Sequence, residues 1–211
     1  MGMAGYTSPM ILEHAITRLV RPGMVAFDIG ANRGQTAQLL SEMGAVTYSF
    51  EPIPECVAEI EARNLRNVTI IRTALSDEEG FAEFHLDERV DAGMEASSLR
   101  VLEGVIGRTI EVPVTTMDAF VNQNAVAPDF IKIDVEGVEE KVIAGGRETI
   151  RRHRPIIIFE VWGYNWPRLE STVRDLSTMY RFECASDGAD AIQRYSAGVV
   201  TETDDVICLP R

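Results

Sequence analysis

The chain has 211 residues, of which 45% are hydrophobic and 25% charged, the make-up of one soluble globular domain with room for a sizeable core. A formal net charge of −13 argues against a nucleic-acid backbone or an anionic membrane as a standing partner and favours a neutral or cationic small molecule. Cys56, Cys184 and Cys208 are odd in number and form no C-x-x-C pair, so neither a disulfide framework nor a zinc site is expected, and the setting reads as reducing and cytoplasmic. No run is long enough to span a bilayer, and no basic region followed by an apolar core reads as a signal peptide.

From about Ser8 to Val20, Met10, Ile11, His14, Ala15 and Leu19 fall near helical spacing, with Ser8 as cap and Pro9 in the first turn. This amphipathic helix is expected to pack on a sheet or fold over a ligand, so residues 1–23 read as a helical cap on a domain of residues 24–211. Met24 to Ile29 is the first strand, followed by Gly30 and Gly34 and a helix from Gln35 to Met43. Residues 45–51 form a second strand that ends in Glu51, and Pro52 and Pro54 precede a helix from Glu55 to Arg63. Val68 to Ala74 is a third, β-branched strand. Strands alternating with helices in this way imply a doubly wound, parallel α/β sheet.

The regularity then breaks. Residues 81–86 alternate as a half-exposed strand does, residues 87–109 read as a long insertion suited to a functional lid, and Ile110 to Val114 is a short strand before a small helix around Met117 to Asn122. Phe130 to Asp134 is the fourth parallel strand. A helix from Val138 to Ala144 is interrupted at Gly145-Gly146, and a short continuation reaches Arg152. Residues 155–160 are the fifth strand, ending in Glu160. An aromatic loop, Trp162 to Pro167, leads into a helix from Arg168 to Met179. Residues 181–186 and 204–209 are the last two strands, joined by a polar connection.

Asp28, Glu51, Asp134 and Glu160 all fall where apolar strands close. In an open α/β sheet those ends share one rim, and ligands bind there. The turn D-x-G-x-x-x-G differs from the dinucleotide pattern G-x-G-x-x-G and sets an acid where a diphosphate would be repelled. An acid there suits the ammonium and sulfonium of S-adenosylmethionine. Glu51 suits a ribose, whose two hydroxyls a carboxylate can accept. Ser76 and Asp77 close the third strand, placed to flank an adenine. The cofactor contacts expected from this pattern are Asp28, Gly30, Asn32, Gly34, Glu51, Ser76, Asp77 and Asp134. Asp134 or Glu136 can serve as general base for a hydroxyl, and Glu160, Trp162 and Tyr164 can line the acceptor side. For each of these residues an ordinary structural role competes: capping for Glu51 and Glu136, packing for the rings. His153 belongs at the opposite edge of the sheet.

These residues together resemble the FkbM-type class I S-adenosylmethionine-dependent methyltransferases, over roughly residues 25–162. The resemblance rests on residues 27–34, Phe50-Glu51-Pro52, residues 74–77, residues 116–120, Lys132-Ile133-Asp134-Val135-Glu136-Gly137 with Glu139 and Gly145, and Phe159-Glu160. It implies a Rossmann-like seven-stranded sheet with an antiparallel final hairpin. It also implies O-methylation of a hydroxyl on a sugar, polyketide or other secondary metabolite, with S-adenosylhomocysteine as product. The partner is then a small hydroxylated substrate, and pairing with a second copy stays open. A bound Mg²⁺ is another way to activate the hydroxyl, since Asp134 and nearby acids are hard oxygen ligands, but the resemblance does not call for a metal. An NAD(P)-dependent oxidoreductase and a non-catalytic binding module that keeps the same pocket are the rival readings.

Overall fold

The computed structural model describes residues 9–86, 108–161, 165–197 and 204–211. In chain order the elements are α1 (Pro9–Leu19), β1 (Val25–Ile29), α2 (Gln35–Glu42), β2 (Val46–Phe50), α3 (Pro54–Ala62) and β3 (Val68–Ile71). Then come β4 (Ala74–Leu75), β5 (Gly80–His85), β6 (Thr109–Thr115), α4 (Met117–Asn124) and β7 (Phe130–Ile133). The chain continues through α5 (Glu139–Gly145), α6 (Arg147–His153), β8 (Ile156–Val161), α7 (Trp166–Leu176), β9 (Tyr180–Cys184), α8 (Ala191–Ser196) and β10 (Asp204–Pro210).

Seven strands form one sheet in the order β3-β2-β1-β7-β8-β10-β9. β10 is antiparallel to both of its neighbours, and the pairs from β3 to β8 are parallel. The expected doubly wound sheet with an antiparallel last hairpin is present. Its central strands are apolar on both sides because helices cover both faces. On one face Phe27, Ile29, Phe50, Ile133 and Phe159 pack with Phe120, Val142 and Leu169. Phe120 meets the rings of Phe50, Phe27 and Tyr48 edge-on, with centroids 4.8, 5.6 and 5.8 Å away. On the other face Ala26, Phe130, Ile158 and Ile207 pack with Ala15 and Ile16 of α1, Val20 just after it, and Leu40 of α2. The N-terminal helix therefore packs on the sheet.

Two elements depart from the sequence reading. Ala74 and Leu75 do not extend β3: the chain turns after Ile71, and the pair joins β6 and β5 in a separate sheet of order β4-β6-β5. That sheet packs Val112, Val114 and Phe84 on Ile53 and Cys56 at the start of α3. The polar connection before β10 contains α8, capped by Asp190, whose side chain accepts from the Gln193 N–H at 2.8 Å. The insertion expected over residues 87–109 lies outside the described residues except for Arg108 and Thr109, which belong to the approach and start of β6.

The break at Gly145-Gly146 has a steric cause. A Cβ at Gly145 would lie 2.0 Å from the Ser76 carbonyl oxygen, and one at Gly146 would lie 2.7 Å from the Met117 sulfur. The end of α5 is thus pressed against the exit of β4. Gly145→Ala is expected to lower stability by about 1–3 kcal/mol, the usual cost of overpacking a backbone contact. Urea denaturation measures it, and an unchanged midpoint would show that the contact yields freely.

Candidate active site

Register decides which side chains meet at the closing edge of the sheet. Ile29 lies opposite Phe50 and Ile133, and Ile133 lies opposite Phe159. Glu51, Gly30, Asp134 and Glu160 therefore close at one level. β10 runs the other way and begins at this same edge, which sets Asp205 opposite Glu160. Across five neighbouring strands the rim reads Glu51, Gly30, Asp134, Glu160, Asp205.

The glycine turn is built as its sequence requires. Gly30, Asn32 and Gly34 have φ of +76°, +47° and +84°. Gly30 also has no room for a side chain, because a Cβ there would sit 1.8 Å from the Asp134 carbonyl oxygen. Its bareness admits the neighbouring loop. Gly34 leads into α2, which opens with no capping side chain and no acid in its first turn.

Glu51 is nearly fully buried and held by the backbone. The Asn32 N–H donates to its Oε2 and the Ile53 N–H to its Oε1, both at 2.8 Å. Burial nevertheless pushes its pKa up to about 7, against those two hydrogen bonds, with Asp28 adding to the rise and Lys132 opposing it.

Asp28 is the residue whose placement differs most from expectation. It is the fourth residue of β1, one position below the turn, and it is completely buried. Its Oδ1 lies 3.9 Å from Lys132 Nζ, and Ser49, opposite it in register on β2, also favours its charged form. Burial raises its pKa to about 6, with Lys132 pulling down and Asp134 pushing up. Both oxygens of Asp28 are buried in this structure. The cause is register: Asp28 lies opposite Lys132 on β7, in the body of the sheet.

Lys132 joins the central strands. Its ammonium lies 3.1 Å from Asp134 Oδ2 and donates to the Gly30 carbonyl at 3.2 Å. Burial disfavours its charge, but Asp134 and Asp28 outweigh burial and the net shift is upward, toward the charged form.

The loop after β7 is clamped. Glu136 and Gly137 have φ of +57° and +98°. The Gly137 N–H donates to Glu139 Oε1 at 2.9 Å, and its carbonyl accepts from Arg168 at 2.9 Å. The second oxygen of Glu139 accepts from the buried Asn165 amide at 3.0 Å, and Arg168 also pairs with Glu140 at 3.1 Å. So held, Asp134, Glu136 and Glu160 each present a carboxylate oxygen within 4.8 Å of the other two.

Ser76 is buried, and its hydroxyl donates to Asp77 Oδ1 at 3.1 Å; Lys141 Nζ lies 3.6 Å from the same oxygen. Trp162 and Tyr164 lie outside the described residues. Trp166, of the same aromatic stretch, is a buried packing residue stacked on Tyr195 at 5.0 Å. His153 ends α6 on the surface, before β8 begins. The sequence reading counted Lys132 and Glu139 toward the family resemblance but gave no role to either, nor to Asp205, Asn165 or Arg168. Lys132 carried a signal, a lone charge inside the apolar run Phe130 to Ile133.

A family model described as the methyltransferase FkbM domain matches residues 28–183. The 31-O-demethyl-FK506 methyltransferase FkbM of Streptomyces tacrolimicus is 26% identical over 202 residues, covering 81% of this chain and 71% of that protein. The 2-O-methyltransferase NoeI of Sinorhizobium fredii is 27% identical over 170 residues, covering 72% of this chain and 70% of that protein. Among solved structures, the methyltransferase FkbM from Methylobacillus flagellatus superposes with a TM-score of 0.58 at 15% identity, over 93% of this chain and 50% of that one. This chain thus spans half the length of that structure. A Streptococcus mutans protein in complex with SAH gives a TM-score of 0.57 at 10% identity, over 98% and 100% of the two chains. At such identities the likeness is one of fold, the class I methyltransferase sheet.

The buried acids set a pH dependence. Burial also raises Glu139 to about 7, against hydrogen bonds from backbone N–H groups and with Asp134 and Glu140 adding to the rise. A carboxyl whose pKa is higher folded than unfolded keeps a proton that the unfolded chain has released, so stability falls as pH climbs between the two values. With Asp28 at about 6 and Glu51 and Glu139 at about 7, the urea midpoint of the ligand-free protein should drop between about pH 4.5 and about pH 7. The drop should be shallower in Glu139→Gln. A midpoint that holds level or rises across that window contradicts the assignment.

Proposed function

The chain belongs to the FkbM methyltransferase family, and from that premise we propose that it methylates a hydroxyl of a sugar, polyketide or other secondary metabolite. The observation that carries the reading is the row of carboxylates along the closing edge, from Glu51 to Glu160, on a sheet of class I methyltransferase order. The names of the two curated relatives, both O-methyltransferases by description, support the choice of oxygen as acceptor.

S-adenosylmethionine, when bound, supplies a methyl group on a positively charged sulfonium that leaves as a neutral sulfide. The residues present suit that donor. A carboxylate has about four acceptor sites, and the two backbone donors on Glu51 leave the others for a pair of ribose hydroxyls. Gly30, Asn32 and Gly34 form the turn for the amino-acid end, over the buried charges of Asp28 and Lys132. Ser76 and Asp77 stand at the adenine side. Asp134 adds negative charge beside the sulfonium.

The protein's main task is alignment, because the leaving group is already good. Holding acceptor oxygen, methyl carbon and sulfur in line can lower the barrier by about 7–11 kcal/mol. The rigid backbone from Asp134 to Gly137 supports that role. Glu136, with Asp134 oriented by Lys132, takes the proton of the acceptor hydroxyl, and Glu160 lines the acceptor side. The acidic composition supports a small hydroxylated acceptor over a nucleic acid or a membrane. Among the described residues no helix is long and apolar enough to cross a membrane. The three buried, unpaired cysteines support a cytoplasmic setting.

Two variants separate binding from chemistry. Glu51→Gln should weaken S-adenosylmethionine binding by about 10–100-fold, since hydrogen bonds to a charged group contribute about 1.5–3 kcal/mol. Isothermal calorimetry reads it, and unchanged affinity removes Glu51 from the donor site. Glu136→Gln should leave that affinity alone and lower kcat by about 10²–10⁴-fold, measured as S-adenosylhomocysteine released from a panel of sugar and polyketide alcohols.

A further inference from the structure

Carboxylates gather at the acceptor end of the rim. Asp134, Glu136 and Glu160 bring one oxygen each within 4.8 Å of the others. Asp205 is a separate observation beside them. It is only 7% exposed, and no hydrogen bond or ion pair to its carboxylate is found among the described residues. It lies directly opposite Glu160 in the β8–β10 pair, so both side chains leave the sheet on the same face. Like charges placed so are destabilising, and a buried carboxylate without a partner is costly.

Lys132 relieves this crowding only in part. Among the described residues it is the one cation acting on Asp205, and Asp134 and Asp204 act the opposite way. Its ammonium is already engaged by Asp134 at 3.1 Å, the Gly30 carbonyl at 3.2 Å and Asp28 at 3.9 Å. Asp134, Glu136 and Glu160 gather their oxygens, with Asp205 opposite Glu160, where a second and more concentrated positive charge would be held.

We propose that Asp134, Glu136 and Glu160 bind a hard divalent cation, Mg²⁺ or Mn²⁺, with Asp205 completing the negative charge from beside Glu160. Such ions prefer oxygen ligands, and Mg²⁺ keeps several waters when carboxylates hold it. An octahedral ion at about 2.1 Å from its ligands spaces them about 3–4 Å apart, slightly inside the span found here. The proposal rests on reading this edge as a methyl-transfer site and gives the ion a task there. An acceptor hydroxyl replaces one bound water, its oxygen is oriented by the metal, and its proton passes to the oxygen of Glu136 that the metal does not use.

The test uses Mn²⁺ alone on the full chain, without methyl donor, followed by the loss of the free-ion electron paramagnetic resonance signal. One bound ion per chain, displaced by Mg²⁺, is the expected result. Glu160→Gln and Asp205→Asn should each weaken Mn²⁺ binding by about tenfold or more. Asp205→Asn removes an unpaired buried charge, so without metal it should melt no lower than the parent protein, which distinguishes a lost ion from a lost fold. Glu160 is only half-buried, and its variant carries the test if Asp205→Asn folds poorly. Glu51→Gln should bind Mn²⁺ normally, so a donor-site failure leaves the ion's signal intact. Absence of Mn²⁺ binding at about 1 mM, a weak limit for a carboxylate site, overturns the proposal. So does binding that neither variant changes.

Discussion

Lys132 sends its ammonium up through the sheet to three oxygens, those of Asp134, Gly30 and Asp28, and the closing edge is organised around it. The group is buried, so its strength comes from poor screening, and its cost comes from the same source. Removing one partner of a buried ion pair typically destabilises by about 3–5 kcal/mol, because the other charge is left without compensation. The cation ties β7 to the turn after β1, the two segments between which a methyl donor would lie. It also keeps Asp28 and Asp134, neighbours of like sign, from driving that turn apart. The glycines follow from this constraint: only a residue without a side chain at position 30 lets the Asp134 carbonyl come so near.

A second constraint acts on the loop that follows. Left-handed backbone at Glu136 is uncommon for such a residue, and it persists because its neighbour is gripped from both sides. Glu139 accepts the Gly137 N–H, Arg168 donates to the Gly137 carbonyl, and Asn165 fixes the far oxygen of Glu139. The two helices that supply these groups, α5 and α7, are themselves packed on the core through Val142, Ile143 and Leu169. Rigidity at Asp134 and Glu136 is therefore inherited from the hydrophobic interior and does not depend on a ligand to create it.

Much of this was legible in the chain because it is written locally. An apolar run that ends in an acid and then in glycine or proline announces a strand and its exit, and four such runs announced the rim. What escaped was information held between strands. Asp28 stands one residue before the end of its strand by local pattern, and pairing with Ser49 and Lys132 shows that this position lies in the sheet's body, below the crevice. Asp205 opens a strand that runs against the others, so its membership in the rim depends on the direction of β10, which local pattern does not give. Ala74 and Leu75 continue a β-branched run by composition, yet their partner is β6, forty residues on, and β6's register claims them. α8 is short and polar, and its capping aspartate was the one mark it left.

The near contact between Gly30 and the Asp134 carbonyl has a consequence for turnover. The segment that would cradle the donor and the segment that would receive the acceptor touch through backbone atoms, with no flexible side chain between them to absorb a displacement. Any shift that a bound molecule imposes on one is passed to the other. Thermodynamic linkage makes such a coupling mutual: whatever factor the donor adds to acceptor affinity, the acceptor returns to the donor. Mutual dependence of the two affinities is then the consequence of the packing of two peptide groups, and a wider turn at position 30 would weaken that coupling before it touched the chemistry.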